Sequence, residues 1–514
     1  MRRTEDERDA AELGAGPAAR GRASEDRAPA LPPPVLHLRG EREGRVRLAL
    51  AVARREGEAP PAVALEDGAP LAPRPIGRLG GARFWRVEFE RPRAAGGGLL
   101  RLDGAARRFS LPEPGASLRL AFASCNGTEH EPLSGGGERA RNAMWAHLAA
   151  RHAARPFHLL ALGGDQIYAD AVWEAPSLAA WRALPRRARL RAPFTEAMRR
   201  EAEAFYLARY AATFGAAEVA GLLGAIPTVM MWDDHDIFDG WGSHPPEIQD
   251  CPVFQGLFAV ARHAFALIQL GRDPERPWGE GAPDPLGPDA AQLGWAGAYG
   301  PAWIVAPDLR SERTRRRVLG PAGEGLLRRA LDPPEGLPHL LLVSSVPMVN
   351  ADLSAIERVL GPLQRLVDLY QDDLRDQWMS HAHAGSWSAA MDRLLALAAG
   401  GRTVSVVSGE IHFAALGSAR GTGARAGATA AQFIASGVAH PPPPRFLARL
   451  LERFARRPWT RRGVRLAMHP IGPEGQRYLA ERNWLEMELR PDGGRRAWVH
   501  GERSDTLPLA PPVA

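Results

Sequence analysis

From residue 118 onward the chain alternates short apolar runs of strand length with longer helical stretches. This grammar restricts it to an α/β core with buried strands. The apolar runs are 118–123, 157–162, 228–232, 340–346, 403–407 and 432–435, and the helical stretches between them are 139–152, 195–214, 254–270 and 386–399. In open α/β sheets, ligands collect beyond the carboxyl ends of strands, so the residues following each run decide the chemistry. Ser124, Cys125 and Asn126 follow the first run; Gly164, Asp165, Gln166, Ile167, Tyr168 and Asp170 follow the second. Asp233, Asp234, His235 and Asp236 follow the third, with Asp239 and His244 beyond, and Glu410 and His412 follow the fifth. Thiolate, carboxylate, phenol and imidazole thus stand at four strand ends, and all are metal-ligand types.

Each of these residues has a plainer explanation when taken singly. Cys125 suits a small buried hydrophobe. Asp165 suits a helix cap, Asp233 and Asp234 a turn, and His412 a core histidine. Taken together the plain readings fail. Gathering Asp165, Asp233, Asp234, Asp236 and Glu410 carries a heavy penalty for every uncompensated buried charge, and the chain contains no lysine to neutralise them. Two metal ions would resolve the conflict.

Composition narrows the function classes. All 65 basic residues are arginine, which excludes a Schiff-base lysine, a pyridoxal lysine and a Walker A lysine. The formal charge of +6 comes from arginines spread along the chain beside 59 acids, so no nucleic-acid partner is expected. Hydrophobic residues at 45% and charged residues at 24% are globular proportions. There is no G-x-S-x-G elbow, and no first strand leads into G-x-G-x-x-G. Two cysteines cannot build a disulfide framework, which fits a reducing compartment. No apolar segment of signal type occurs near the start, and no run is long enough for a transmembrane segment. A cytoplasmic location is the expectation.

The 514 residues allow about three domains at roughly 150 residues each. Residues 1–30 read as a disordered lead, and 31–115 as a small N-terminal β-sandwich-like domain. The core is expected over 116–440, with inserted loops about 171–225 and 271–301. Residues 441–514 supply a C-terminal helix and a β-hairpin around Gly493-Gly494.

As an ordered set, Phe122-Ala123-Ser124-Cys125, Gly164-Asp165-Gln166-Ile167-Tyr168-Ala169-Asp170, Trp232-Asp233-Asp234-His235-Asp236 and Ser408-Gly409-Glu410-Ile411-His412 resemble the PhoD-type alkaline phosphatases. These belong to the calcineurin-like and purple-acid-phosphatase metallophosphoesterases. Asp308-Leu309-Arg310 resembles the family's D-x-R strand element. The resemblance implies an α/β (α+β) four-layer metallophosphoesterase sandwich, mixed sheets flanked by helices, with a small N-terminal all-β domain. It also implies two or more metal ions sharing Asp165. Cys125, Asp165, Tyr168 and His412 would hold Fe(III), the anionic set suiting a high-charge ion. Asp165, Asp234 and Glu410 would hold Ca²⁺, Mg²⁺ or Mn²⁺. Glu410 departs from the family, which usually carries Asp there.

The activity implied is phosphoester hydrolysis by a metal-activated hydroxide attacking phosphorus. His235 would act as general acid, and Asp233 would orient it or the ligands. Arg139 and Arg141 are candidates to clamp the phosphate, with a solvated helix face as the alternative. The expected substrate is a small-molecule or lipid phosphoester. A phosphodiesterase or phospholipase-like activity on the same centre is one alternative, and a non-catalytic metal- or phospholigand-binding relative is another. His381 and His383 are expected near the pocket mouth. The basic segment 445–462 is expected as a helix packing on the core, with an anionic membrane surface as its alternative.

Overall fold

The computed structural model describes residues 30–129, 141–275, 292–351, 378, 380, 383–472 and 474–510. Those from Leu31 on belong to one compact unit. Among them, no helix is long and apolar enough to cross a membrane.

The first sheet is built around three parallel neighbours, Leu118–Ala123, Leu159–Gly163 and Thr228–Met231. Every residue in them is buried, which is why they read as continuous apolar runs with no polar alternation. Their side chains alternate between two cores. Leu118, Leu120, Phe122, Leu159 and Ala161 enter one, while Ala121, Ala123, Leu160 and Leu162 enter the other. Helices Ala143–Ala154, Glu196–Phe214, Ala217–Ala225 and Pro252–Ile268 supply buried side chains to that second core. In Glu196–Phe214, Thr195 caps the start by accepting the N–H of Met198, and Met198, Ala202, Tyr206, Tyr210 and Phe214 form one buried stripe. Each large side chain buried this way contributes roughly 1.5–3 kcal/mol.

The first core is shared with a second sheet. Its central strands Ala302–Ala306, His339–Ser344, Thr403–Ser408 and Thr429–Ile434 run parallel, and helix Ala384–Ala399 joins the same core. The last strands of the chain return to the first sheet. Asn483–Leu489 and Arg495–Gly501 form a hairpin, and the former pairs with Leu118–Ala123.

The strands within residues 31–115 do not stand apart from the core. Val35–Arg42 pairs in parallel with Thr228–Met231, and Arg45–Arg55, Ala82–Pro92 and Arg74–Leu79 continue the same ten-stranded sheet. Val63–Leu65, Pro70–Leu71, Gly97–Leu102 and Ala105–Ser110 form a separate four-stranded sheet. The reason is burial on both faces: Leu36 and Leu38 enter the first core while Val35 enters the second. A strand covered on both sides needs the cover that the central sheet already has. The span 171–225, expected as inserted loops, contains the helices Pro176–Arg182, Glu196–Phe214 and Ala217–Ala225. Most of 271–301 lies outside the described residues.

Candidate metal centre

The three parallel strands deliver their next residues to one place. Ser124-Cys125-Asn126, Gly164-Asp165-Gln166 and Trp232-Asp233-Asp234 leave adjacent carboxyl ends. The backbone stitches these turns together: Cys125 N–H donates to Gly164 O at 3.2 Å and Asn126 N–H to Asp165 O at 2.8 Å. From the second sheet, Gly409 N–H reaches Ser345 O at 3.0 Å. Eight described non-glycine residues have positive φ, and four of them are Cys125, Asp165, Glu410 and His412. Each such residue costs roughly 1–3 kcal/mol, a strain that concentrates at functional sites. Gly164 has φ +93°, and a Cβ there would lie 2.8 Å from the Cβ atoms of both Asp233 and Ser345. Glycine is required for that approach.

Donor oxygens of Asp165, Asp233 and Asp234 lie within 4.8 Å of one another, all three residues being buried. A second group, Asp234, His235 and Asp239, meets the same limit. Cys125 Sγ is 3.5 Å from Asp165 Oδ2 and 3.2 Å from Ser436 Oγ. Tyr168 OH is 3.4 Å from His412 Nε2. The Tyr168 ring also stacks on His235, with centroids 4.4 Å apart. Glu410 comes beside the Cys125 thiol through its backbone, and belongs to neither carboxylate group. Arg141 Nε donates to Asn142 Oδ1 at 3.2 Å. Arg139 and His381 lie outside the described residues, whereas His383 is buried at the start of Ala384–Ala399.

The neutralising cation that sequence reasoning overlooked is Arg310. Fully buried, it donates from Nε to Asp233 Oδ1, from one terminal nitrogen to Asp234 Oδ1 at 3.2 Å, and from the other to Trp241 O at 3.1 Å. Asp308 fixes the turn that carries it. Its Oδ1 accepts the N–H groups of Arg310 and Ser311 and the Trp232 indole, and its Oδ2 accepts Leu293 N–H. The absence of lysine therefore did not leave the carboxylates without a protein cation. The D-x-R triplet was the available signal. One guanidinium still faces three carboxylates, and Ser345 Oγ donates to Asp233 Oδ1 at 2.8 Å.

Asp165 receives no such help. Its Oδ1 is buried with no hydrogen-bond partner among the described residues. Burial first, then the neighbouring Asp233, push its carboxyl well above the usual carboxylate range. Burial and the Asp165 charge push the Cys125 thiol up, and burial and Cys125 push the Tyr168 phenol up. A set of oxygen, sulfur and imidazole donors that disfavours its own ionisation in the protein alone fits bound cations, which reverse that preference.

His235 is built differently. Burial lowers its pKa, but the Asp170 carboxylate outweighs burial and raises it well above the ordinary histidine value. Its Nδ1 lies 2.9 Å from Asp170 Oδ2, and Asp170 Oδ1 accepts Asp239 N–H at 2.7 Å. A carboxylate at Nδ1 fixes the ring's orientation and holds a proton on that nitrogen. Asp236 acts on the backbone: its carboxylate accepts the N–H groups of Asp233, Gln166 and Ile167, tying the second and third strand ends together.

His440, also missed from sequence, stacks on His412 with centroids 3.5 Å apart, and its Nε2 lies 3.5 Å from Glu129 Oε1. The His440 imidazole beside it lowers the Glu129 pKa to about 2. His440 follows strand Thr429–Ile434, the same topological position as the other donors. A cavity of about 500 Å³ opens beside the centre. Glu129, Asp170 and Asp239 line its near wall, and Trp173, Trp181 and Arg189 also face it.

Residues 121–366 match the family profile described as PhoD related phosphatase. A solved structure titled "Structure of PhoD" aligns with a TM-score of 0.53 at 15% identity, over 95% of this chain and 94% of that one. This matched segment, just under half of the chain, is similar to the PhoD related phosphatases. The structural likeness shows the mixed α/β fold, with several sheets and helices, across almost the whole chain. An uncharacterized protein of Saccharomyces cerevisiae, YGR266W, is 24% identical over 408 residues, covering 65% of this chain. The chain spans 56% of the length of that yeast relative.

Proposed function

We propose that this chain is a PhoD-type, metal-dependent phosphoester hydrolase. The observation that carries the reading is the buried trio Asp165, Asp233 and Asp234, donor oxygens within 4.8 Å, in which Asp165 Oδ1 has no hydrogen-bond partner among the described residues. Strand ends, left-handed backbone and the profile match over 121–366 all support it. In this reading the two helix-backed sheets correspond to the four-layer arrangement of the family.

Cys125, Asp165, Tyr168 and His412 would hold one ion, Fe(III) by donor type. Asp165, Asp234 and Glu410 would hold a second, with Ca²⁺, Mg²⁺ or Mn²⁺ suited to oxygen donors. When bound, such ions supply Lewis acidity toward phosphoryl oxygens and make a nearby water more acidic. The protein's own residues do the rest. Arg310 and Ser345 hold Asp233, and Arg310 with Gly240 N–H fixes Asp234. Asp170 aligns His235 so that its Nε2 can deliver a proton to the departing alkoxide oxygen. Arg139 and Arg141 are the candidates to meet the phosphate. The side cavity offers room for an organic group, which favours a phosphodiester as the second reading.

A binding-only relative would need no aligned proton donor, and the His235–Asp170 pair argues against it. The test is turnover of aryl phosphomonoesters and diesters by protein supplied with iron and calcium. Metal-dependent hydrolysis abolished in Cys125→Ala and His412→Ala supports the reading; metal-loaded protein inert on both ester classes overturns it.

A further inference from the structure

Five large apolar side chains are exposed among the described residues, and four of them, Phe446, Leu447, Leu450 and Phe454, lie on the single helix Arg445–Ala455. Phe446 is 64% exposed. At 100° per residue, positions 446, 450, 454 and 447 fall within one outward arc of about a third of the circumference. The opposite side is committed to the protein. Ala455 is buried, Ala448 and Leu451 pack on the first core, and Glu452 accepts the N–H groups of Arg477 and Tyr478. The helix is therefore fixed in place with its apolar arc turned away from the body. The sequence reading favoured packing on the core, and only the side carrying Ala448, Leu451, Glu452 and Ala455 does so.

Arginines border the arc. Arg449, Arg453, Arg456 and Arg457 are all exposed, and positions 449, 453 and 456 run along one flank. An apolar strip edged by guanidinium groups matches the boundary between acyl chains and negatively charged headgroups, which takes apolar side chains at shallow depth and cations at its rim. Another protein of complementary shape would have to bring both an apolar groove and a row of acids. A lipid surface supplies both without a specific fit.

We propose that helix Arg445–Ala455 docks the protein on an anionic membrane surface, lying parallel to it with Phe446, Leu450 and Phe454 inserted. This rests on the exposed face alone and stands whether or not the metal centre hydrolyses phosphoesters.

The full chain is mixed with vesicles of phosphatidylcholine alone, or of phosphatidylcholine with phosphatidylglycerol, and bound protein is measured by sedimentation. Binding is expected with phosphatidylglycerol, rising with its fraction and falling with salt. Charge reversal at Arg449 and Arg453 weakens it at least fivefold per site, the effect of one basic residue near such a surface. The triple change Phe446→Ser, Leu450→Ser and Phe454→Ser abolishes it; these side chains are exposed, so the fold tolerates the change. Phe446→Trp retains binding and adds a blue-shifted emission component on phosphatidylglycerol vesicles. Absence of vesicle binding at low salt overturns the proposal. So does binding unaltered by the triple change, or self-association that the triple change abolishes, since the arc would then be an interface between copies.

Discussion

Replacing Arg310 by methionine removes a buried guanidinium hydrogen-bonded to both Asp233 and Asp234 while roughly conserving volume. Both carboxylates are buried, and Arg310 itself has no exposed surface. Breaking a buried pair from the cationic side leaves the anions desolvated without that counter-charge, which costs about 3–5 kcal/mol. The loss of the bond to Trp241 O adds about 1 kcal/mol. Urea unfolding of metal-free protein at pH 7 should show that loss as a lower midpoint with an unchanged slope. Adding Asp233→Asn to Arg310→Met should recover much of it, because a neutral amide needs no counter-charge. Supplying metal should also narrow the gap, since bound cations take over part of the compensation. A metal-free Arg310→Met protein as stable as wild type would refute the reasoning, as would a loss that Asp233→Asn leaves untouched.

Asp170→Asn should lower kcat by about a hundredfold on esters with poor leaving groups, much less on activated aryl esters, because it misaligns the proton donor His235; equal losses on both would contradict that role. Gly164→Ala should destabilise the fold by about 1–3 kcal/mol and lower bound metal, given φ +93° and the 2.8 Å approach to Asp233 and Ser345. Far from the centre, burial raises the Glu486 pKa, but its bonds to His500 and Arg119 outweigh that and hold it at about 2. Its folded pKa is depressed below the unfolded value, so its contribution is complete above about pH 4.5 and is lost as pH falls toward 2. Glu486→Gln should flatten that part of the acid-stability profile.

The strand ends were legible because a buried parallel strand is an unbroken apolar run, and whatever follows it is displayed at the sheet's carboxyl edge. Leu118–Ala123 and Thr228–Met231 announced Cys125 and Asp233 in this way. Three things were hidden. Arg310 follows a strand, Ala302–Ala306, whose five-residue apolar run between Pro301 and Pro307 is too short to stand out, so its charge was not counted against Asp233 and Asp234. His440 lies six residues beyond Thr429–Ile434, and its stacking on His412 depends on a turn through Gly437 (φ +84°), which the sequence does not number. The pairing of Val35–Arg42 with Thr228–Met231 joins residues nearly two hundred positions apart. No local pattern distinguishes that strand from one in a small domain. Periodicity reports which face is buried, not which element covers it.

The central claim is that Asp165 lies between cations. Elemental analysis of protein purified after supply of iron and calcium, wild type beside Asp165→Ala, tests it most directly. The account predicts at least two metal ions per wild-type chain, and loss of both in the variant, because one carboxylate serves both sites. A wild-type chain that carries no metal under those conditions would contradict it, and so would an Asp165→Ala chain that keeps its full complement.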